Sequence, residues 1–207
     1  MQEFFESIWG KLASAAVIII ILAVIMVANK GKGKKNNVKA MTYSAIAIAI
    51  AFVLNTFVVL RMPQAGSVTL FSMLVIVLIG YWFGPTTGIM AGMAFGILDM
   101  LYAPYVVHPI QFLIDYPLAF GMLGLSGFFR DKKYGLQFGY LVAVFARYLC
   151  HVLGGIIFFA EYAGDSNVIA YSLIYNSTYL GIEAAITFVL LWIPAVRRAL
   201  ERIKVNI

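Results

Sequence analysis

The chain has 207 residues, of which 63% are hydrophobic and 12% charged, with a formal net charge of +6. This composition excludes an ordinary soluble domain and is typical of a polytopic helical membrane protein. Because a spanning helix needs about 20 apolar residues, the length leaves no room for a soluble catalytic domain, and the single cysteine, Cys150, excludes an internal disulfide.

The first apolar run covers residues 11–29; acidic residues precede it and five lysines follow it. A cleavable signal peptide carries its basic residues before the apolar core. We therefore predict a retained transmembrane helix with its N-terminus outside. Residues 1–39 would form this extra helix and a basic cytoplasmic linker, ahead of a six-helix domain at residues 40–207.

Six further apolar runs predict spans at 41–60, 69–84, 86–104, 109–129, 136–160 and 175–196. Most basic residues fall in three clusters, which follow the first, fifth and seventh spans: 30–39, 130–133 and 197–204. These clusters share one side of the membrane, which the positive-inside rule identifies as cytoplasmic. The segments 61–68, 102–108 and 161–174 are then external, and the C-terminus is cytoplasmic. We expect an all-α, multi-pass protein of the cell membrane.

Small residues recur every four positions in two of these runs. Such spacing allows the backbone of another helix to approach closely. The run 41–60 carries the alternative pairs Ala45/Ala49 and Ala47/Ala51, which suit either internal packing or an external partner. The run 86–104 carries a glycine series that predicts packing within the bundle: Gly88, Gly92 and Gly96.

Two ionisable residues inside the spans are expected at the same depth. A central Asp costs roughly 2.5 to 3.5 kcal/mol in a membrane helix. At 1.5 Å per residue, Asp115 lies about 9 Å below the start of its helix and His151 about 12 Å below the end of its own. Aromatic and amide side chains lie above both: Tyr105, Tyr116, Phe159, Tyr162, Tyr171 and Asn176. This set predicts a pocket in the outer half of the membrane for a flat, polar, cationic molecule.

Other interpretations of the ionisable residues stay open. Asp115 or Glu183 could pair with Arg147 as a purely structural contact. An intramembrane enzyme could use Asp99 and Asp115, although the sequence has neither an H-E-x-x-H nor a G-x-S-x-G motif. A stand-alone proton-coupled carrier could use Asp115, Glu183 and His151 as a relay, although no inverted repeat is visible in the sequence.

Four segments together resemble a known family: Met62–Val68, His108–Gly127, Arg147–Phe159 and Tyr171–Asn176. In order and spacing they resemble the ThiT family, the thiamine-specific substrate-binding (S) components of energy-coupling factor (ECF) transporters, over roughly residues 40–196. The resemblance implies a six-helix S-component fold that binds thiamine near the outer face. It also implies no enzymatic activity, no cofactor, and three partners: a transmembrane coupling subunit and two cytoplasmic ATPases.

The resemblance also assigns residues. Substrate contacts are expected from Tyr105, Asp115, Tyr116, His151, Gly155, Phe159, Tyr171 and Asn176, with hydrogen bonds from His151 and Asn176. Docking to the coupling subunit is expected at Ala45 and Ala49. Independently of the resemblance, the small, turn-prone residues Pro63, Gly66 and Ser67 suggest that the external segment 61–68 acts as a gate. Some members carry Glu in place of Asp115 and Trp in place of Phe159, and residues 1–39 lie outside the usual six helices. An S component for another vitamin or for a thiamine precursor is the nearest alternative.

Overall fold

The protein is seen in a computed structural model that describes Trp9, residues 34–63 and residues 66–206. These residues form seven main helices and one short β-hairpin. The predicted all-α polytopic class is confirmed. The predicted span at 11–29 lies outside the described residues, and the division of the chain at residue 40 stays a prediction.

The elements follow one another with short connections. In chain order they are helix α1 (Lys34–Thr56), strands β1 (Leu60–Arg61) and β2 (Ser67–Val68), and helices α2 (Ser72–Phe83), α3 (Pro85–Tyr102), α4 (Pro109–Phe129), α5 (Gly135–Phe158), α6 (Val168–Trp192) and α7 (Pro194–Asn206). Of the described helices, α1, α4, α5 and α6 are long and apolar enough to cross a membrane. The 12 residues of α2 are apolar but span only about 18 Å.

Helix α2 forms the centre of the bundle. Its side chains at Ile76, Val77 and Ile79 are 0% exposed. A helix that is apolar all round is expected to be surrounded by others, and α2 packs against α1, α3 and the end of α4. By contrast, α1 exposes Ile46, Ile50 and other apolar side chains on its outer surface.

The glycine series of α3 lies against neighbouring backbone, as predicted. A Cβ atom at Gly92 would overlap the carbonyl oxygen of Phe120, and one at Gly96 would overlap that of Tyr116. Both carbonyls belong to α4. The lack of a side chain at Gly92 and Gly96 therefore lets α4, which carries Asp115, lie directly against α3.

Helix α4 changes its winding where the site lies. It begins as an α-helix (Pro109–Leu113), widens into a π-helical turn (Ile114–Leu118), and ends with a short α-helical turn and a 3₁₀ segment. Pro117 lies inside the π-helical turn, where it has no N–H to donate and its ring would clash with the carbonyl of a regular helix. Such turns are frequent at functional sites, and here the turn directs Asp115 and Tyr116 into the interior.

The structure corrects the start of the last span. We predicted a span at 175–196 and an external segment at 161–174, but α6 begins at Val168. The side chain of Asn167 caps this helix by accepting a hydrogen bond from the amide of Ala170 at 3.0 Å. The polar residues of the first two turns shifted the hydropathy-based boundary, so Tyr171 lies in a helix rather than in a loop.

Two of the basic clusters meet at one end of the bundle. Lys204 of α7 donates to the carbonyl of Arg130, and its Nζ lies 3.8 Å from Oδ1 of Asp131. The segment after α4 and the helix after α6 therefore share one side, as the charge pattern predicted.

The two alternative alanine pairs of α1 lie on different faces of the helix. Ala45 and Ala49 are exposed, whereas Ala47 and Ala51 are buried.

Candidate functional site

A cavity of about 310 Å³ opens between the β-hairpin, the 103–108 segment and helices α4, α5 and α6. All eight substrate residues predicted from the sequence line it: Tyr105, Asp115, Tyr116, His151, Gly155, Phe159, Tyr171 and Asn176. The fold therefore brings together residues that are up to 71 positions apart in the chain.

Asp115 is the polar centre of this cavity. Its Oδ2 accepts a hydrogen bond from Nε2 of Gln111 at 2.8 Å, and its Oδ1 lies 3.4 Å from Nδ1 of His151. That Oδ1 is buried and receives no hydrogen bond of good geometry from the described residues. Buried carboxylate oxygens are nearly always hydrogen-bonded. Asp115 is therefore ready to receive a further donor.

His151 is held between two partners. Its Nε2 accepts from Nε of Arg147 at 3.3 Å, and its Nδ1 faces Asp115. The ring lies edge-on to Tyr179 with centroids 6.2 Å apart. We expected His151 to hydrogen-bond the substrate, but both of its ring nitrogens face protein groups. The ring itself is what borders the cavity.

Two adjacent glycines let α5 approach the polar residues of its neighbours. A Cβ atom at Gly154 would lie 2.5 Å from Oδ1 of Asp115, whereas one at Gly155 would overlap Oγ of Ser172 on α6. Gly155 was predicted and Gly154 was missed, because the sequence shows that both are small but not which partner each one faces. Gly154 is the residue that makes room for the carboxylate.

Gln111 is the most important polar residue that the sequence-based assignment left out. It is 1% exposed, and its carboxamide is fully used. Its Nε2 donates to the carbonyl of Tyr105 at 3.2 Å as well as to Asp115, and its Oε1 accepts from the amide of Val107 at 3.2 Å. Gln111 thus ties the 103–108 segment to the carboxylate. Its spacing of four residues from Asp115 on one helix was the available signal.

Aromatic side chains form the wall above the carboxylate. Tyr105 and Phe159 stack with ring centroids 5.8 Å apart, and the hydroxyl of Tyr116 accepts a hydrogen bond from the amide of Tyr105 at 3.1 Å. Burial raises the pKa of the Tyr105 phenol to about 12, and its hydrogen bond with Tyr162 acts in the same direction. Tyr105 therefore stays a neutral hydrogen-bonding group at physiological pH.

Helix α6 supplies the opposite wall. Asn176 accepts from the hydroxyl of Tyr179 at 2.8 Å and donates to the carbonyl of Ser172 at 2.8 Å. Tyr171 stacks on Tyr175, with ring planes 11° apart and centroids separated by 6.1 Å. The wall is therefore a rigid strip of amide and aromatic groups rather than a set of mobile side chains.

The predicted gate is a β-hairpin fastened to α6. Residues 60–61 and 67–68 pair as antiparallel strands. The hydroxyl of Tyr175 donates to the carbonyl of Pro63 and accepts from the amide of Gly66 at 3.3 Å. A side chain at Gly66 would meet that hydroxyl at 2.6 Å. The hairpin thus covers the cavity, and one side chain connects it to the wall.

The deep end of the cavity is polar as well. Asp99 accepts from Asn55, and Glu183 accepts from the hydroxyl of Thr69 at 2.7 Å. The structural ion pairs that the sequence left open for Arg147 are not formed: within the described residues its guanidinium has no carboxylate within 4.0 Å and lies instead over the ring of Phe120, 3.8 Å from the centroid. Asp99 also lines the cavity.

The charges of the described lining favour a cation. Three carboxylates, from Asp99, Asp115 and Glu183, face two guanidinium groups, from Arg61 and Arg147. Aromatic faces add to the attraction for a positive charge. In the described part of the chain, no group of three or more His, Cys, Asp or Glu residues is arranged to hold a metal ion.

Fold and site together define a multi-pass helical membrane protein with an internal cavity for a small polar ligand. A family model described as "Thiamine transporter protein (Thia_YuaJ)" matches residues 41–201. The chain belongs to this family, whose members are transport proteins rather than enzymes.

Two relatives are similar to this chain. Thiamine transporter ThiT of Bacillus subtilis (strain 168) is 34% identical over 172 residues, which cover 74% of this chain and 88% of the relative. Thiamine transporter ThiT of Lacticaseibacillus paracasei (strain ATCC 334) is 32% identical over 117 residues, 48% of this chain and 58% of the relative. The resemblance to the thiamine transporter family, inferred from four sequence segments, is confirmed.

Proposed function

We propose that this chain binds thiamine in the cavity around Asp115 and delivers it as the S component of an ECF-type uptake transporter. The observation that carries the proposal is the buried carboxylate of Asp115, fixed beneath aromatic walls in a member of the thiamine transporter family. Its Oδ1 lacks a good donor, so a ligand donor would complete the site.

The chemistry of thiamine suits this cavity. Thiamine carries a permanently positive thiazolium ring and a flat aminopyrimidine ring with hydrogen-bonding edges. Asp115 supplies negative charge, and Tyr105 and Phe159 supply aromatic faces that attract a cation and stack on a heterocycle. Tyr171 and Asn176 line the other side. A phosphate ester of the ligand would bring negative charge to a lining in which carboxylates outnumber guanidinium groups.

The energy for transport would come from partner subunits. The sequence has no G-x-x-x-x-G-K-[ST] phosphate loop. We assign ATP use to two cytoplasmic ATPases and docking of the transmembrane coupling subunit to the exposed face of Ala45 and Ala49. From the positive-inside rule we also propose that the C-terminus lies in the cytoplasm and the N-terminus outside the cell membrane.

Equilibrium binding to the purified chain in detergent tests the ligand, with riboflavin and biotin as controls. The proposal requires thiamine to bind far below micromolar concentration while the two controls do not bind. Tight binding of another vitamin in place of thiamine would move the chain to a different substrate.

Uptake by proteoliposomes tests the division of labour. We expect thiamine uptake only when the coupling subunit and ATPases are reconstituted with the chain and ATP is supplied. Uptake by the chain alone, driven by a proton gradient, would favour a stand-alone carrier instead.

A further inference from the structure

Arg147, one turn before His151 on α5, is held in place by an aromatic ring. The guanidinium of Arg147 lies over the ring of Phe120, 3.8 Å from the centroid, and the residue is 9% exposed. Stacking of this kind orients the planar group as well as holding it. The Nε–H of Arg147 therefore has a defined direction, which is toward Nε2 of His151 at 3.3 Å.

This contact decides which nitrogen of His151 carries hydrogen. An arginine side chain donates hydrogen bonds and accepts none, and a neutral imidazole has one N–H and one bare nitrogen. Because Arg147 donates to Nε2, the bare nitrogen is Nε2 and the hydrogen is on Nδ1. That N–H faces Oδ1 of Asp115 across 3.4 Å.

We infer that Arg147 is a positioning residue that selects the Nδ1–H tautomer of His151 and so directs the only N–H of the ring toward Asp115. The inference deepens the proposed thiamine site, on which its ligand arm rests. Asp115 then accepts a hydrogen bond from Gln111 at Oδ2, and the N–H of His151 lies near Oδ1 at 3.4 Å, too poorly aligned for a hydrogen bond of good geometry. The orienting hydrogen bond of a histidine commonly sets its tautomer in this way.

The remaining groups near the imidazole do not replace Arg147. Tyr179 of α6 meets the ring edge-on, at 6.2 Å between centroids, and its hydroxyl donates to Asn176. Asn176 reaches only the backbone carbonyl of His151, at 3.4 Å. Among the described residues, Arg147 is the one that donates to Nε2. Without it, the carboxylate of Asp115 is the one remaining described group that favours the Nδ1–H tautomer, since the Nε2–H tautomer would turn a bare nitrogen toward that carboxylate.

Nitrogen-15 NMR tests the tautomer directly and needs no ligand. The chain has two histidines, so a His108→Gln background leaves His151 as the single imidazole. We expect a protonated Nδ1 and an unprotonated Nε2, assigned through their couplings to the ring C–H protons. Observation of the Nε2–H form in this otherwise native chain would overturn the inference, whatever the ligand is.

Two substitutions of Arg147 separate its donor from its charge and bulk. Arg147→Met should raise the share of the Nε2–H form of His151, which Asp115 alone then opposes, whereas Arg147→Lys, which keeps a cationic donor, should keep the Nδ1–H form. Arg198→Met is the matched control, because Arg198 is exposed on α7 and donates to the carbonyl of Pro194. An unchanged tautomer in Arg147→Met would overturn the inference.

A double-mutant cycle tests whether Arg147 acts on thiamine through His151. Arg147→Met should weaken thiamine binding in the native chain by at least fivefold more than it does in a His151→Gln background, the factor that about 1 kcal/mol of coupling produces. Equal effects in both backgrounds would contradict action through His151. If the native chain binds no thiamine, the proposed function fails while the NMR result still decides the tautomer.

Discussion

Replacement of Asp115 by asparagine probes the charge at the centre of the cavity with almost no change of shape. In the native chain, Nε2 of Gln111 donates to Oδ2 at 2.8 Å and Nδ1 of His151 lies 3.4 Å from Oδ1. An asparagine amide would turn its NH₂ toward one of these two donors in either orientation. The variant therefore loses the negative charge and one charge-assisted hydrogen bond.

The size of the expected effect on binding follows from the charge-assisted hydrogen bond that the ligand is proposed to make with the carboxylate and that a neutral amide cannot make. A hydrogen bond to a charged group contributes about 1.5–3 kcal/mol, which corresponds to a roughly 10- to 150-fold rise in the Kd for thiamine. Calorimetric or fluorescence titration of the purified protein in detergent would measure it. Asp115→Glu should recover most of the affinity because it keeps the carboxylate.

Controls distinguish a lost contact from a lost fold. Asp131→Asn changes a carboxylate that is 81% exposed at the opposite end of the bundle, and it should leave the Kd unchanged. A thermal unfolding midpoint close to that of the native chain would show that Asp115→Asn is folded. An unchanged Kd in folded Asp115→Asn would refute the reasoning and make Asp115 a structural residue.

Three further substitutions test the parts that surround the carboxylate. Gly154→Ala should push the carboxylate of Asp115 away from α5 and raise the Kd for thiamine about tenfold, a loss of about 1.4 kcal/mol. In the same titration Gly181→Ala should leave the Kd unchanged, because no atom of another element lies within 4 Å of the new Cβ. Tyr175→Phe removes the hydroxyl that bonds the hairpin to α6, which costs about 1–1.5 kcal/mol, so thiamine should be released roughly 5- to 12-fold faster in stopped-flow experiments. Tyr148→Phe is the control and should release thiamine at the native rate, because the hydroxyl of Tyr148 donates to a helix carbonyl outside the cavity. Gln111→Leu leaves three hydrogen-bond partners unpaired, one of them the buried carboxylate of Asp115, at a cost of about 1–3 kcal/mol. The thermal unfolding midpoint should therefore fall by roughly 2–12 °C. An unchanged midpoint would mean that Gln111 does not stabilise the 103–108 segment.

The sequence was most informative where a charged residue lies within an apolar run, because burying that charge costs free energy. A carboxylate in an apolar run needs compensation, so the sequence alone singles out Asp115. Helical rise then placed His151 at the same depth, and the fold brings the two side chains within 3.4 Å. The order of the described helices followed from apolar runs and breakers, because burial in lipid or in the bundle requires such runs.

Contacts that depend on tertiary structure were out of reach. Which of two adjacent glycines faces the carboxylate depends on the rotation of α5, and Gly154 was therefore missed. The partner of Arg147 depends on how α4 winds around Pro117, so the sequence left an ion pair open where the structure has a stacked ring. The early start of α6 depends on a single capping residue, Asn167, which a hydropathy window does not weigh.

The most direct test of the central claim is an experimental structure of the chain determined with thiamine. The account predicts that thiamine occupies the cavity beside Asp115, between the Tyr105–Phe159 pair and the α6 wall at Tyr171, with a ligand donor on Oδ1 of Asp115. Thiamine bound elsewhere on the chain, with this cavity empty, would contradict it.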